Sequence, residues 1–193
     1  MRRLVYHTAR SGVDRDKILR QAPFCAIDNS QFRQWLGTGF YFWEQFLPLA
    51  KWWGNVHYVR RGEHYIIFST IFNCNDRYIL DLVSNTEQMN DIMTIVRELK
   101  SRPEFEDTTF SAQFIINFIT TKVNQTYKAI RVYGHDSCST DKNITQNKFL
   151  FNDRSYLNLC PEIQICVKDR KVLQLPMKIV YCSEDDPNNI VIA

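Results

Sequence analysis

Two stretches with helical spacing, set between runs of β-type residues, most constrain what this chain can fold into. Ser84-Asn85-Thr86-Glu87 has a capping-box pattern, serine with glutamate three residues on. Met89, Ile92, Met93, Val96 and Leu99 then recur at helical spacing, and Pro103 marks that helix's end. Phe110, Phe114, Ile115, Phe118 and Ile119 predict a second amphipathic helix. Upstream, residues 4–7, 37–43 and 78–83 read as strands, and residues 56–61 and 65–72 as a hairpin joined at Gly62. Residues 13–35 read as a helix and loop. Residues 46–53 read as a helix, with Pro48 tolerated in its first turn. Downstream, residues 127–133, 148–151, 163–167 and 172–181 are again β-rich. Strands, then helices, then strands predict an α+β fold. One domain is expected over residues 1–182, with a helical insertion at about 84–124. Residues 134–147 read as an exposed loop and 183–193 as a loose tail.

The 193 residues are enough to bury a core. No apolar run reaches the roughly 18 residues of a membrane span, so no membrane partner is expected. Met1-Arg2-Arg3-Leu4-Val5-Tyr6 runs straight into polar sequence, unlike a secretory leader, so a cytoplasmic location is expected. The six cysteines form no Cys-x-x-Cys pair, and His57, His64 and His135 lack metal-ligand spacing. Reduced, mostly buried thiols and no metal are the expectation. Charge is uneven. Residues 1–61 hold ten Lys/Arg against four Asp/Glu, although the whole chain is only +3. Such a bias suits either a solvated face or attraction for an anionic ligand, a dinucleotide or a nucleic acid.

The chemistry concentrates in three segments. The first is Tyr6-His7-Thr8-Ala9. The second is Gly37-Thr38-Gly39-Phe40-Tyr41-Phe42, followed by Ala50 and Trp52. The third is Pro161-Glu162-Ile163-Gln164-Ile165-Cys166-Val167-Lys168-Asp169. Singly, each residue has an ordinary reading: a strand histidine, a strand tyrosine, core tryptophans. Gly37-x-Gly39 also lacks the third glycine and the strand-to-helix setting of a Rossmann loop. In this order, however, the segments resemble the His-Tyr-Glu class of ADP-ribosyltransferases, which includes the poly(ADP-ribose) polymerases and many bacterial toxins. Trp35-Leu36-Gly37-Thr38-Gly39-Phe40-Tyr41-Phe42-Trp43 is more similar to the toxin-like members. The resemblance spans the framework of the chain but leaves the helical middle without a counterpart.

That resemblance implies a split β-sheet core and NAD as co-substrate. It implies an NAD-binding set of His7, Thr8, Ala9, Phe40, Tyr41 and Trp52, and a catalytic set of His7, Tyr41, Gln164 and Glu162. His7 would bond the adenosine-side ribose. Tyr41 and Trp52 would sandwich nicotinamide, and the Thr8 backbone would read its amide. Positive charge builds on the ribose as nicotinamide leaves, as in glycoside cleavage, and a group facing that charge lowers the barrier. Stacking on the cationic ring helps binding more than rate, because the charge leaves the ring during reaction. Two residues depart from the family pattern. Thr8 stands at a glycine position and crowds the backbone approach. Gln164 stands at the glutamate's place, where its amide oxygen accepts a hydrogen bond but brings no charge. Glu162, two residues earlier on the same strand face, is the other candidate for that role.

The implied activity is mono-ADP-ribosyl transfer to a macromolecular acceptor, protein or nucleic acid. The chain would be the toxin of a toxin–antitoxin or phage-defence system, with an antitoxin protein as partner. The rival expectations are an inactive relative that binds NAD, ADP-ribose or a protein, and a plain NAD hydrolase. The arginine-rich motifs of the RNA 2′-phosphotransferases, which share the fold, are not seen.

Overall fold

The computed structural model describes residues 1–31, 33–134, 148–152 and 155–187. Seven strands form one mixed sheet: β1 (Arg2–Arg10), β2 (Phe40–Glu44), β3 (Tyr65–Asn73), β4 (Ile79–Asp81), β5 (Ala129–Tyr133), β8 (Ile163–Val167) and β9 (Lys178–Cys182). Their order is β4-β5-β8-β2-β1-β3-β9. Only β4 and β5 run parallel; every other neighbouring pair is antiparallel. Strands β6 (Lys148–Asn152) and β7 (Ser155–Asn158) form a separate hairpin. The helices are α1 (Arg15–Gln21), α2 (Leu47–His57), α3 (Thr86–Lys100) and α4 (Ala112–Phe118). The expected α+β class is therefore observed.

Strand periodicity sorts the core into two faces. On one face Val5, Phe42, Phe68, Ile165 and Val167 pack together with Ala9 and Phe72. On the other, α2 covers Trp43, Tyr65 and Ile67, and the α3–α4 pair covers Leu80, Ile130 and Cys166. Strand β3 is buried on both faces, which explains its continuous apolar run Tyr65-Ile66-Ile67-Phe68.

Three local expectations need correction. Residues 56–61 are not a strand. Helix α2 runs on to His57, and Val59–Arg61 is a 3-10 turn closed by Gly62 at φ 74°. The α3 cap is Asn85, whose side chain accepts from the Gln88 backbone N–H, rather than Ser84. The Ser84 hydroxyl instead donates to Asp81 at 2.6 Å. The tail is also anchored at its start: Ser183 is buried, its hydroxyl accepts from the Tyr65 N–H, and Arg15 pairs with Glu184 and Asp185. Residues 135–147, most of the expected exposed loop, and 188–193, the end of the tail, lie outside the described residues.

A buried ionic cluster ties four strands together. The Arg131 guanidinium donates to both Glu44 carboxylate oxygens, at 2.6 and 3.1 Å, and to Asp81 at 3.0 Å. Arg3 adds a further bond to Glu44 at 3.1 Å. Burial alone pushes the Asp81 carboxyl up, but bonds from Ser84, the Val83 N–H and Arg131 outweigh it and hold the group below its ordinary value. No described helix is long and apolar enough to cross a membrane.

Candidate active site

The central seam of the sheet is where a cavity forms. Strand β1 pairs with β3 along its full length, from Arg2–Asn73 to Arg10–Tyr65. With β2 it pairs only at Val5–Glu44 and Tyr6–Trp43. Beyond Tyr6 the two strands part, and a cavity of about 780 Å³ opens beside them. Its wall includes His7, Thr8 and Ala9 of β1, Tyr41 of β2, Gln164 of β8, and Trp53 and His57 of α2.

The glycine-rich approach to β2 has a steric cause. A Cβ on Gly39 would lie 2.6 Å from Cys166 Sγ and 2.8 Å from the Val167 carbonyl oxygen, so only glycine lets this segment reach β8. Gly37 adopts φ 73°, the left-handed region where glycine carries no side-chain penalty. Lys168 then fixes the turn by donating to the carbonyls of Leu36 and Thr38, both at 2.6 Å. The Tyr41 hydroxyl closes it from inside, donating to Gly37 O at 2.8 Å and accepting from Leu36 N–H at 3.1 Å. Burial pushes this phenol well above its ordinary pKa, so it remains protonated.

His7 bridges the parted strands. Its Nδ1 lies 2.9 Å from the Tyr41 carbonyl oxygen, and its Nε2 accepts from the Phe24 backbone N–H at 3.1 Å. This pairing requires the Nδ1–H tautomer. Burial lowers the His7 pKa from 6.5 to about 4, against the opposing effect of the Tyr41 bond. The unfolded chain therefore takes up a proton that the folded chain refuses across that window. Stability contributed by neutral His7 is complete above pH 6.5 and is lost as pH falls toward 4. That loss is on the order of 3 kcal/mol. A His7→Gln protein is expected to show a flatter stability profile across this window, read by denaturant unfolding at a series of pH values. Parallel profiles would mean that His7 titrates normally in the fold.

The remaining expected residues divide. Thr8 lines the cavity, and its hydroxyl donates to Ala50 O at 3.0 Å, so the side chain is turned to α2. Gln164 lines it too, with Oε1 accepting from Trp35 Nε1 at 3.2 Å. Phe40 packs into the core cluster around Val5, Ala9 and Phe42 and is not part of the wall. Trp52 is buried edge-on against Trp43, at 6.2 Å between ring centroids. Trp53, one residue on, lines the cavity in its place. Glu162 is not on the wall, and its backbone carbonyl accepts from Gly134 N–H.

Sequence reading missed Trp35, Trp53 and His57. The signal for Trp53 was its helical phase: Leu49 and Trp52 mark the buried stripe of α2, and the next residue turns about 100° away. Among the described residues, no group of three or more His, Cys, Asp or Glu is arranged to hold a metal ion. Of the five described cysteines, four are buried and Cys25 is exposed. No protein-family model matches the chain, and no curated protein or solved structure matches it.

Proposed function

We propose that this chain is an NAD-dependent mono-ADP-ribosyltransferase with the split-sheet fold of that superfamily. It binds NAD in the cavity beside the β1–β2 seam and transfers ADP-ribose to a macromolecular acceptor, protein or nucleic acid. A cytoplasmic toxin of a toxin–antitoxin or phage-defence pair is the role this reading favours. The observation that carries it is the convergence of His7, Tyr41 and Gln164, from three distant segments, on one cavity. A volume of about 780 Å³ is within the range of small-molecule sites. Aromatic walls at Trp35, Tyr41 and Trp53 suit a flat ring. The test is incubation of the purified protein with labelled NAD and cell lysate, with protein and nucleic-acid fractions resolved separately. Label in one fraction supports transfer and gives the acceptor class. Intact NAD with no binding would sink the reading.

One observation favours a second reading, a module that binds NAD or ADP-ribose without turnover. Gln164 supplies no negative charge, and its carbonyl oxygen is already engaged by Trp35. A glutamate at this position accepts the same indole N–H, so Gln164→Glu keeps the contact and adds charge. On the transferase reading this variant is expected to release nicotinamide at least about tenfold faster than the parent. An unchanged rate would show that Gln164 does not face the developing charge.

A further inference from the structure

We propose that His57 is the general base of the transfer step, taking the proton of a hydroxyl acceptor. The proposal rests on the transferase reading above and adds a residue and an acceptor chemistry to it. The cavity wall contains few groups able to accept a proton. His7 has both ring nitrogens committed, to Tyr41 O and the Phe24 N–H. The Tyr41 hydroxyl donates to Gly37 O, and Arg10 is paired with Glu63 at 3.1 Å. Cys25 directs its thiol to the Ala26 carbonyl. Gln164 does not titrate. His57 is different. Among the described residues, neither of its ring nitrogens makes a hydrogen bond, although it lines the cavity.

Its ring is nevertheless held in place. It lies parallel to Trp53, at 5.0 Å between centroids and 12° between planes, and meets Tyr58 edge-on at 4.9 Å. The charged groups acting on it are Arg61 and Glu63, in the turn between α2 and β3. Burial, then Arg61, lowers its pKa, with Glu63 opposing, so the ring is neutral and basic at pH 7. A fixed, neutral imidazole with free nitrogens in a ligand-sized cavity meets the requirements of a general base.

The bond between ribose C1″ and the nicotinamide nitrogen breaks, and its electron pair leaves with nicotinamide. The acceptor oxygen bonds to C1″. Its proton passes to an unprotonated ring nitrogen of His57 and then to solvent. A carboxylate acceptor would need no such base, so the proposal commits to a hydroxyl, water being the simplest.

The experiment compares parent, His57→Ala and His57→Gln proteins, each confirmed as folded by its melting curve. NAD affinity is measured by titration, and nicotinamide release is followed in buffer and in buffer containing methanol. The expected result is a loss of about 100-fold in kcat with NAD affinity retained. Added imidazole should restore His57→Ala, and the acid limb of the parent's pH–rate profile, lying below pH 6.5, should vanish in His57→Gln. A parental rate in both variants would overturn the proposal while leaving the transferase reading intact. So would a loss of rate matched by a loss of NAD affinity and not rescued by imidazole. A parent protein that neither binds nor consumes NAD would overturn both.

Discussion

A Tyr41→Ala protein is expected to release nicotinamide from NAD about 100-fold more slowly than the parent while remaining folded. Two losses combine. The ring face offered to the cavity disappears, removing a buried aromatic contact of about 2–3 kcal/mol with its stacking geometry. Each 1.4 kcal/mol is about tenfold in rate or affinity, which gives the estimate. The hydroxyl disappears as well, and with it two of the bonds that hold the Leu36–Gly37 turn, leaving those from Lys168. Tyr41→Phe separates the terms, because it keeps the ring and removes only the turn contacts. Its expected loss is roughly tenfold or less. Steady-state kinetics and NAD titration on both variants check this. Full activity in Tyr41→Ala would mean that the reaction takes place elsewhere on the molecule.

Replacing Arg131 with methionine is expected to destabilise the protein by about 3–5 kcal/mol. The cost lies in what is left behind. Glu44 and Asp81 are both buried, and without the guanidinium Asp81 keeps only the Ser84 hydroxyl and local backbone donors. Glu44 keeps only Arg3. For a chain of this size the melting temperature should fall on the order of 10 °C. The pH dependence carries a further signature. Because the folded Asp81 pKa is depressed, its contribution is complete above the ordinary carboxylate range and is lost as pH falls through the folded value. That acid-side loss should weaken in Arg131→Met. Calorimetry across pH decides the matter, and a change within about 1 kcal/mol would class the cluster with surface pairs.

The residues that resisted sequence reading share a cause. Strand 163–167, the second half of the strand expected at 37–43, the α3–α4 pair and the first part of α2 were legible because their apolar spacing acts locally. The run Val56-His57-Tyr58-Val59 looks β-like, yet its first two residues complete α2 because Leu49, Trp52 and Val56 keep one helical face against β3. Packing overrode propensity there, and that error hid His57. The Trp52–Trp53 assignment failed on helical phase, since adjacent aromatics with one name face different surroundings. His7, Tyr41 and Gln164 were legible as a set from their order along the chain. Their hydrogen-bond commitments were not, because the Phe24 N–H and the Trp35 indole arrive from a loop with no periodic signal.

The short β1–β2 ladder has a mechanical consequence. A sheet resists bending through its rungs, and the rungs here are unevenly shared. Strand β1 is bound to β3 along its whole length, but past Tyr6 the junction with β2 has no further ladder pairs and is bridged by one imidazole. The most compliant line of the sheet therefore runs beside the cavity wall. Bending there changes the cavity's width while β1-β3-β9 and β4-β5-β8-β2 each keep their own ladders. Local motion of this kind needs far less free energy than global unfolding. His7 is then the clasp across the fold's softest line, and its protonation loosens that line.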